Sequence, residues 1–312
     1  MWQQVLTQAF IVGLFSATIR VACPIMMAAL GEVYSERAGV INVGLEGQML
    51  AGALAGFLGS YYLKNFWLGM LCGALAGGTL ALFLAFMCIS LGANQIVIGV
   101  ATSIMSTGLT TFVYQALFGV TSVAPTLGLM PGVHLPFLSD IPYLGPILFQ
   151  QKPFVYLAMF LVPAMYLLLY KTTVGLQIRA VGEHPLAADT MGVNVNRTRY
   201  LCVLAAGLAA GLGGAMLSIG HTRSFMPGMS AGRGWIALAI VVVGGWNPLK
   251  ILAASVFFGM TDSLQLSLQA LGLQVPSTLL VGLPYVLTIL LVAIAGAKAR
   301  APEAIGTPYM KQ

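Results

Sequence analysis

The sequence predicts an all-helical membrane protein, a bundle of about nine transmembrane spans in a single domain of residues 1–312. Hydrophobic residues make up 59% of the chain and charged residues only 7%, and the mean hydropathy is +0.92. Soluble globular domains carry about 25% charged residues, so this composition excludes that class. The 37 glycines suit close packing of helices in lipid.

Nine segments are apolar enough to form spans, each of which needs about 20 residues. They are 8–30, 40–60, 67–91, 94–118, 153–170, 200–220, 234–247, 249–271 and 276–297. Polar residues interrupt the second segment and the seventh is short, so both are predicted to be broken spans.

The most polar stretch of the chain, residues 31–50, overlaps the start of the second span and reads GEVYSERAGVINVGLEGQML. It holds three of the eight acidic residues, Glu32, Glu36 and Glu46. Ionisable groups at membrane depth are costly and occur mainly beside a protected or wet path. We therefore expect residues 39–47 to form a break near the middle of the membrane and to face a translocation pathway.

The candidate pathway residues lie in and around the two broken spans. The polar candidates are Asn42, Glu46 and Gln48, with Asn94 and Gln95 at the start of the fourth span, and the aromatic candidates are Phe225, Trp235 and Trp246. Two alternatives stay open. Glu46 either contacts the substrate or bonds to backbone at the break, and Asn94 and Gln95 either line the pathway or cap a helix.

The order of the spans suggests an internal repeat. Spans one to four and six to nine form two groups, each with a broken second member, and the two broken spans run in opposite directions. This arrangement is typical of inverted-topology repeats, in which the substrate lies where the broken segments meet. Sequence identity between the halves is negligible, so a chance resemblance is the alternative.

Basic residues predict the orientation. In an alternating topology, nine of the thirteen Lys and Arg outside the middle of a span share the side of the 171–199 loop and the C-terminus. The positive-inside rule places that side in the cytoplasm and the N-terminus outside. The proline-rich segment 119–152 is then an external loop, either disordered or packed as a lid or docking surface. Arg20, inside the first span, either snorkels or pairs with Glu36 or Glu46.

The 171–199 loop contains a predicted short helix. Pro185 suits the first helical position with His184 as the cap, and Gly192 suits the position just past the end. Such a helix either docks into a groove of a cytosolic partner or simply connects two spans. The candidate coupling residues are Glu183, His184, Pro185, Leu186, Ala187, Ala188, Asp189 and Gly192.

Several function classes lack support in the sequence. It contains no GxxxxGK[ST] phosphate loop, no HExxH and no CxxC pair. We therefore predict no catalytic residue, metal site or cofactor in this chain and no nucleic-acid partner. An ion-gradient-driven transporter that uses Glu46 and Arg20 is the alternative to an ATP-driven permease.

Three stretches resemble the permease subunits of ABC importers in the branched-chain amino acid and ribose permease superfamily. They are residues 31–50, residues 181–195 (VGEHPLAADTMGVNV) and residues 230–248 (SAGRGWIALAIVVVGGWNP). The resemblance covers roughly residues 10–297. The acid-rich first motif is the most specific, and it favours the purine-nucleoside (guanosine-type) branch, often labelled simple-sugar permeases.

The resemblance implies a multi-pass permease in the bacterial cytoplasmic (inner) membrane. Its expected partners are a second, non-identical permease chain, two cytosolic ATPase subunits that bind ATP and Mg, and an external substrate-binding lipoprotein. Residues 184–192 are similar to the loop that contacts the ATPases. Leu186 stands where the importer pattern has Glu, so the match of that motif is partial.

Overall fold

The computed structural model describes residues 8–119, 125–133, 136, 139, 141–270, 282, 286–290, 293 and 300–309, and these residues contain helices but no strands. The helices are α1 (Gln8–Arg37), α2 (Leu45–Leu63), α3 (Phe66–Ala85), α4 (Gln95–Phe118), α5 (Pro153–Lys171), α6 (Thr173–Glu183), α7 (Pro185–Thr190), α8 (Val195–Ala215), α9 (Arg233–Val243) and α10 (Pro248–Ala270). Short π-helical turns extend α3 through Phe86–Ser90 and α8 through Met216–Thr222, and a third covers Gly145–Phe149.

Eight of the nine predicted spans coincide with helices in the described part of the chain. Among the described residues, six helices are long and apolar enough to cross a membrane, namely α1, α3, α4, α5, α8 and α10. The other two, α2 and α9, correspond to the spans predicted to be broken. The ninth predicted span, 276–297, falls largely outside the described residues, so a total of nine spans stays a prediction.

The break near the second span differs in detail from the expectation. The helix α2 is continuous from Leu45 to Leu63, and the irregular backbone precedes it at residues 38–44. The polar residues before this break extend α1, which is 30 residues long. Gly39 follows α1 with a φ of +89°, a backbone conformation that favours glycine. The second span is therefore shortened at its start and has no internal interruption.

Glycine contacts place the start of α2 inside the bundle. A Cβ on Gly52 would lie 2.3 Å from the carbonyl oxygen of Gly211, so α2 and α8 touch backbone to backbone. Small residues allow such close approach between membrane helices. A Cβ on Gly47 would lie 2.8 Å from the Cα of Ser103, near the middle of α4. The first turn of α2 therefore lies midway along its neighbours.

The helices α6 and α7 mark one end of the bundle, which we call the coupling end. As predicted, α7 has Pro185 in its first turn and His184 before it, and Gly192 follows with a φ of +86°. The preceding helix α6 is a separate element that the sequence did not predict. The C-terminal tail packs here, since the amide of Ala304 donates to the carbonyl of Gly182 at 2.9 Å.

The described residues of the segment 119–152 lie at the opposite end, which we call the far end. The amide of Leu127 donates to the carbonyl of Arg223 at 2.7 Å, and the side chains of Leu127 and Met130 are buried. The described part of this segment is therefore packed on the bundle, as the lid or docking alternative requires. Three of its apolar residues, Leu135, Phe137 and Leu138, lie outside the described residues.

Candidate functional site

The first break, residues 38–44, is closed by buried side chains. The amides of Asn42 and Gln48 bond to each other reciprocally, with N–O distances of 2.8 and 2.9 Å, and neither side chain is exposed. The backbone N–H of Asn42 donates to Oε1 of Glu32 at 2.8 Å. In this structure the two predicted pathway amides therefore bond to each other and stabilise the irregular backbone of the break.

Gln95 and Asn94 have different roles at the start of α4. The Oε1 atom of Gln95 accepts a hydrogen bond from the backbone N–H of Ile41 at 2.8 Å, so this buried side chain ties α4 to the first break. The side chain of Asn94 accepts from the amides of Ile96 and Val97, which is the N-cap arrangement. The capping alternative therefore describes Asn94, whereas Gln95 bonds to the break.

Glu46 joins the two broken spans. Its Oε1 atom accepts from Ser230 Oγ at 2.6 Å and from the amide of Gly232 at 2.9 Å. Its Oε2 atom accepts from the amide of Gly234 at 2.7 Å. Helix N-termini carry unpaired N–H groups and partial positive charge, which a carboxylate stabilises. We call these four residues the junction.

The junction brings the N-termini of α2 and α9 into direct contact. A Cβ on Gly234 would lie 2.4 Å from the backbone nitrogen of Glu46, so no other side chain fits between the two helix starts. From this point α2 runs toward the far end. α9 runs toward the coupling end, where the hydroxyl of Tyr170 donates to the carbonyl of Trp246 at 3.1 Å. Two short helices thus start at one place inside the bundle and diverge.

The junction also explains a sequence pattern that our sequence reasoning wrongly took to be absent. Residues 228–232 read GMSAG, which matches the GxSxG pattern of serine hydrolases. In hydrolases that serine is exposed on a strand-to-helix turn and activated by histidine. Here Ser230 is 1% exposed and donates to a carboxylate. Its hydroxyl therefore belongs to the cap of α9.

The three predicted aromatic faces are placed differently. The indole N–H of Trp246 donates to the Glu36 carboxylate, and both side chains are buried. Phe225 is fully buried against Tyr114, with ring centroids 5.2 Å apart. Trp235, in the first turn of α9, is 42% exposed. Of the three, Trp235 is the one that presents a free surface beside the junction.

Arg20 is not paired with either candidate carboxylate. Glu36 is engaged by Trp246 and Glu46 by the junction, whereas Arg20 lines a cavity at the far end together with Lys152 and His221. The ion relay that the alternative transporter would use, Glu46 with Arg20, is therefore not assembled in this structure.

At the coupling end, the candidate residues divide into buried and exposed. Ala188 is 5% exposed and packs with Val181 and Val195, so its side chain packs α7 against α6 and the start of α8. Leu186 is 55% exposed and Met191 is 84% exposed. The surface that α7 offers to a partner is therefore formed by its longer apolar side chains.

Two side-chain contacts attach this end to the rest of the molecule. A guanidinium nitrogen of Arg37 lies 3.9 Å from a carboxylate oxygen of Glu183, and His184 lies 3.4 Å from Glu303 in the tail. Asp189 also has an interaction partner, the hydroxyl of Tyr309. Three of the predicted coupling residues thus bond within the chain and hold α6 and α7 in place.

Sequence reasoning missed Arg199. This residue is 1% exposed at the start of α8. Its guanidinium donates to the carbonyl of Ala38 at 3.1 Å and to that of Thr307 at 2.9 Å. It thereby ties the first break to the C-terminal tail. The sequence offered only a basic residue beside an apolar run, a signal that several loop residues share.

With this geometry in place, the chain can be compared with known proteins. The family model of the permease component of branched-chain amino acid transport systems matches residues 14–295. A solved metal-chelate type ABC transporter in an inward-facing conformation superposes with a TM-score of 0.51 at 16% identity, over 94% of this chain and 88% of that one. This second likeness concerns the fold alone.

Three curated relatives are similar over most of their length. A protein of Haloferax volcanii named as a glucose ABC transporter permease is 44% identical over 85% of this chain and 80% of its own. The guanosine ABC transporter permease NupQ of Bacillus subtilis is 39% identical over 95% of both chains. The nucleoside ABC transporter permease NupC of Lactococcus lactis is 36% identical over 92% of this chain and 93% of its own.

In each of the same three organisms, a second permease with the same substrate in its name matches at lower identity. The values are 26% for the glucose permease, 23% for the guanosine permease and 24% for the nucleoside permease. All these proteins are transport subunits. The chain belongs to the family of permease components of branched-chain amino acid transport systems and is an ABC transporter permease.

Proposed function

We propose that this chain is one of two permease subunits of an ATP-driven importer that carries nucleosides, or related sugars, across the bacterial cytoplasmic membrane. Family membership and the names of the relatives at 36–44% identity support this function. Two cytosolic ATPase subunits would bind ATP and Mg. An external lipoprotein would bind the substrate and deliver it to the far end.

The junction is the observation that supports transport through this bundle. Transporters with inverted repeats bind substrate where broken helices meet near the middle of the membrane. Here α2 and α9 begin at one point inside the bundle and leave it in opposite directions. A nucleoside passing this point would find Trp235 as a stacking surface and the exposed residues of the 223–232 segment beside it.

The partner chain is proposed to be non-identical. Three organisms each have two permeases with one substrate name, one close to this chain and one at 23–26% identity. That pattern suits importers built from two different permease subunits, of which this chain represents one type.

The coupling end is proposed to face the cytoplasm, with the N-terminus outside. This orientation follows the positive-inside rule, because nine of thirteen loop and tail cations fall on that side. Leu186 and Met191 would then enter a groove on an ATPase subunit. The buried Ala188 would fix the position of α7, so that Leu186 and Met191 face the ATPase subunit.

The proposed function is tested by reconstitution. The full importer, with both permeases, the ATPases and the binding protein, is placed in proteoliposomes, and uptake of radiolabelled guanosine and glucose is measured with and without ATP. We expect ATP-dependent uptake of guanosine in preference to glucose. Uptake by this chain without ATP and without ATPase subunits, driven by a proton or sodium gradient, would contradict the proposal.

A further inference from the structure

A cavity of about 440 Å³ lies at the far end and is separate from the junction. It opens between α1, the start of α5, the end of the π-helical extension of α8 and the last turns of α10. Three cationic or basic side chains line it, those of Arg20, Lys152 and His221. None of the described residues in its lining is acidic. Its volume falls within the range of small-molecule sites.

The three basic groups are held close together by the backbone. The ammonium of Lys152 donates to the carbonyl of Gly220, and the imidazole of His221 bonds to the backbone of Arg20. Burial, followed by the positive charges of Arg20 and Arg223, lowers the pKa of Lys152. Like charges repel, so this cluster carries an electrostatic cost that an anion would relieve.

Nearby acids do not supply that anion. Asp262, the residue before Ser263 on α10, is paired with Arg233 at 3.2 Å. The described part of the chain contains two other ion pairs, both at the coupling end. The charge of the cavity is therefore uncompensated by the described residues of the protein.

A buried hydroxyl provides an independent sign of a ligand. Ser263 lines the same cavity, is 1% exposed, and its Oγ has no hydrogen-bond partner among the described residues. Buried polar groups in native proteins nearly always have a partner, because an unpaired one costs about 1–3 kcal/mol. The Oγ atom itself is buried in the cavity wall, so the hydroxyl would reach a ligand oxygen by rotating about its χ1 bond.

We propose that this cavity binds a phosphate group, with Arg20 and Ser263 as donors, Lys152 as the surrounding charge and the His221 imidazole beside them. Phosphate offers several anionic oxygens that can accept from guanidinium and hydroxyl donors together. The cavity is larger than one phosphate and part of its wall is apolar, from Val21 and Leu266. The ligand is therefore either a soluble phosphate monoester or the headgroup of an anionic phospholipid.

Binding is measured on the purified full-length importer in nanodiscs, with AMP and inorganic phosphate as soluble probes and phosphatidylglycerol as the lipid probe. Arg20→Gln should weaken binding at least tenfold, and Ser263→Ala severalfold, because charge-assisted hydrogen bonds are lost. Lys64→Gln removes an exposed charge at the same end and should leave binding unchanged. Arg20→Lys keeps the charge and should restore part of the affinity.

Two nanodisc compositions separate the sources. If the ligand is soluble, AMP binds equally in phosphatidylcholine discs and in discs with phosphatidylglycerol. If the ligand is a lipid, phosphatidylglycerol in the disc blocks the binding of AMP. Native mass spectrometry then finds phosphatidylglycerol retained by the wild type but not by Arg20→Gln. The proposal fails if neither probe binds the wild type, or if Arg20→Gln and Lys64→Gln bind alike while both retain the wild-type melting temperature. It does not depend on which substrate the importer carries.

Discussion

The two irregular segments that precede α2 and α9 are held in opposite ways. The first, residues 38–44, is closed by side chains from its own half of the chain, those of Glu32, Asn42, Gln48 and Gln95, and its first residue, Ala38, also accepts from Arg199 of the other half. The second, residues 223–232, is held at its end by Glu46, which belongs to the other half. Its middle residues, 226–228, are exposed.

Backbone conformation separates the two segments further. The first has one positive φ, at Gly39, whereas the second has four, including the non-glycine residues Arg223 and Ala231. Non-glycine residues with positive φ persist only where the surroundings impose them. The comparison indicates that the first segment is part of the rigid core, and that the second depends on the junction for its shape. Movement between transport states should therefore occur in the second segment.

The largest effect is expected at the junction. Glu46→Ala removes the acceptor of three hydrogen bonds, each worth about 1.5–3 kcal/mol because one partner is charged, and it leaves the N-terminus of α9 uncapped. We expect ATP-dependent uptake to fall at least about tenfold, whereas Glu46→Gln, which keeps the shape and some acceptor capacity, should impair uptake modestly.

Uptake in proteoliposomes and proteolysis of the 223–232 segment are measured together. Thr79→Ala, an exposed position on α3, is the control. Normal uptake and unchanged proteolysis in Glu46→Ala would show that the carboxylate does not hold the second segment.

The next effect concerns the first segment. Asn42→Ala leaves the amide of Gln48 buried without its partner, which costs about 1–3 kcal/mol. We expect a lower melting temperature of the purified permease and a proportional loss of protein in the membrane, with uptake per molecule largely kept. Asn196→Ala, an exposed position on α8, is the matched control. If uptake per molecule fell sharply while the melting temperature stayed constant, Asn42 would belong to the pathway.

The contrast also shows what the sequence could and could not predict. Composition and apolar runs predicted eight of the described helices, because burial in lipid leaves a long, unambiguous signal. The polar and glycine residues of 31–50 predicted a break but not its position, since the buried Glu36 is bonded within α1 by Trp246, 210 residues along the chain. Pairings between residues about 180 to 210 apart, such as Glu46 with Gly234, leave no local pattern.

A smaller effect is expected where the tail meets the core. Arg199→Lys keeps the charge but cannot donate to the carbonyls of Ala38 and Thr307 in the same fork geometry. Loss of one or two such bonds should lower stability by about 1–3 kcal/mol and expose the tail to carboxypeptidase. Arg197→Lys, exposed on the same helix, should change neither. If carboxypeptidase digested the tail of Arg199→Lys no faster than that of the wild type, Arg199 would not hold the tail in place.

The smallest effect on folding, and a specific one on coupling, is expected at Met191. The side chain is 84% exposed, so Met191→Ser should change the free energy of unfolding by less than about 0.5 kcal/mol. If α7 docks into an ATPase groove through this surface, the same change should reduce both ATPase co-purification and substrate-stimulated ATP hydrolysis. Met105→Ser, exposed on α4, tests whether any loss of a surface methionine does the same. Ala188→Asp is a poorer probe, because it would place a charge in the buried contact with Val181 and unfold the support of α7. If Met191→Ser kept full ATPase association and normal substrate stimulation of ATP hydrolysis, this face of α7 would not form the coupling contact. The junction would then be the part of the transport apparatus that the structure supports.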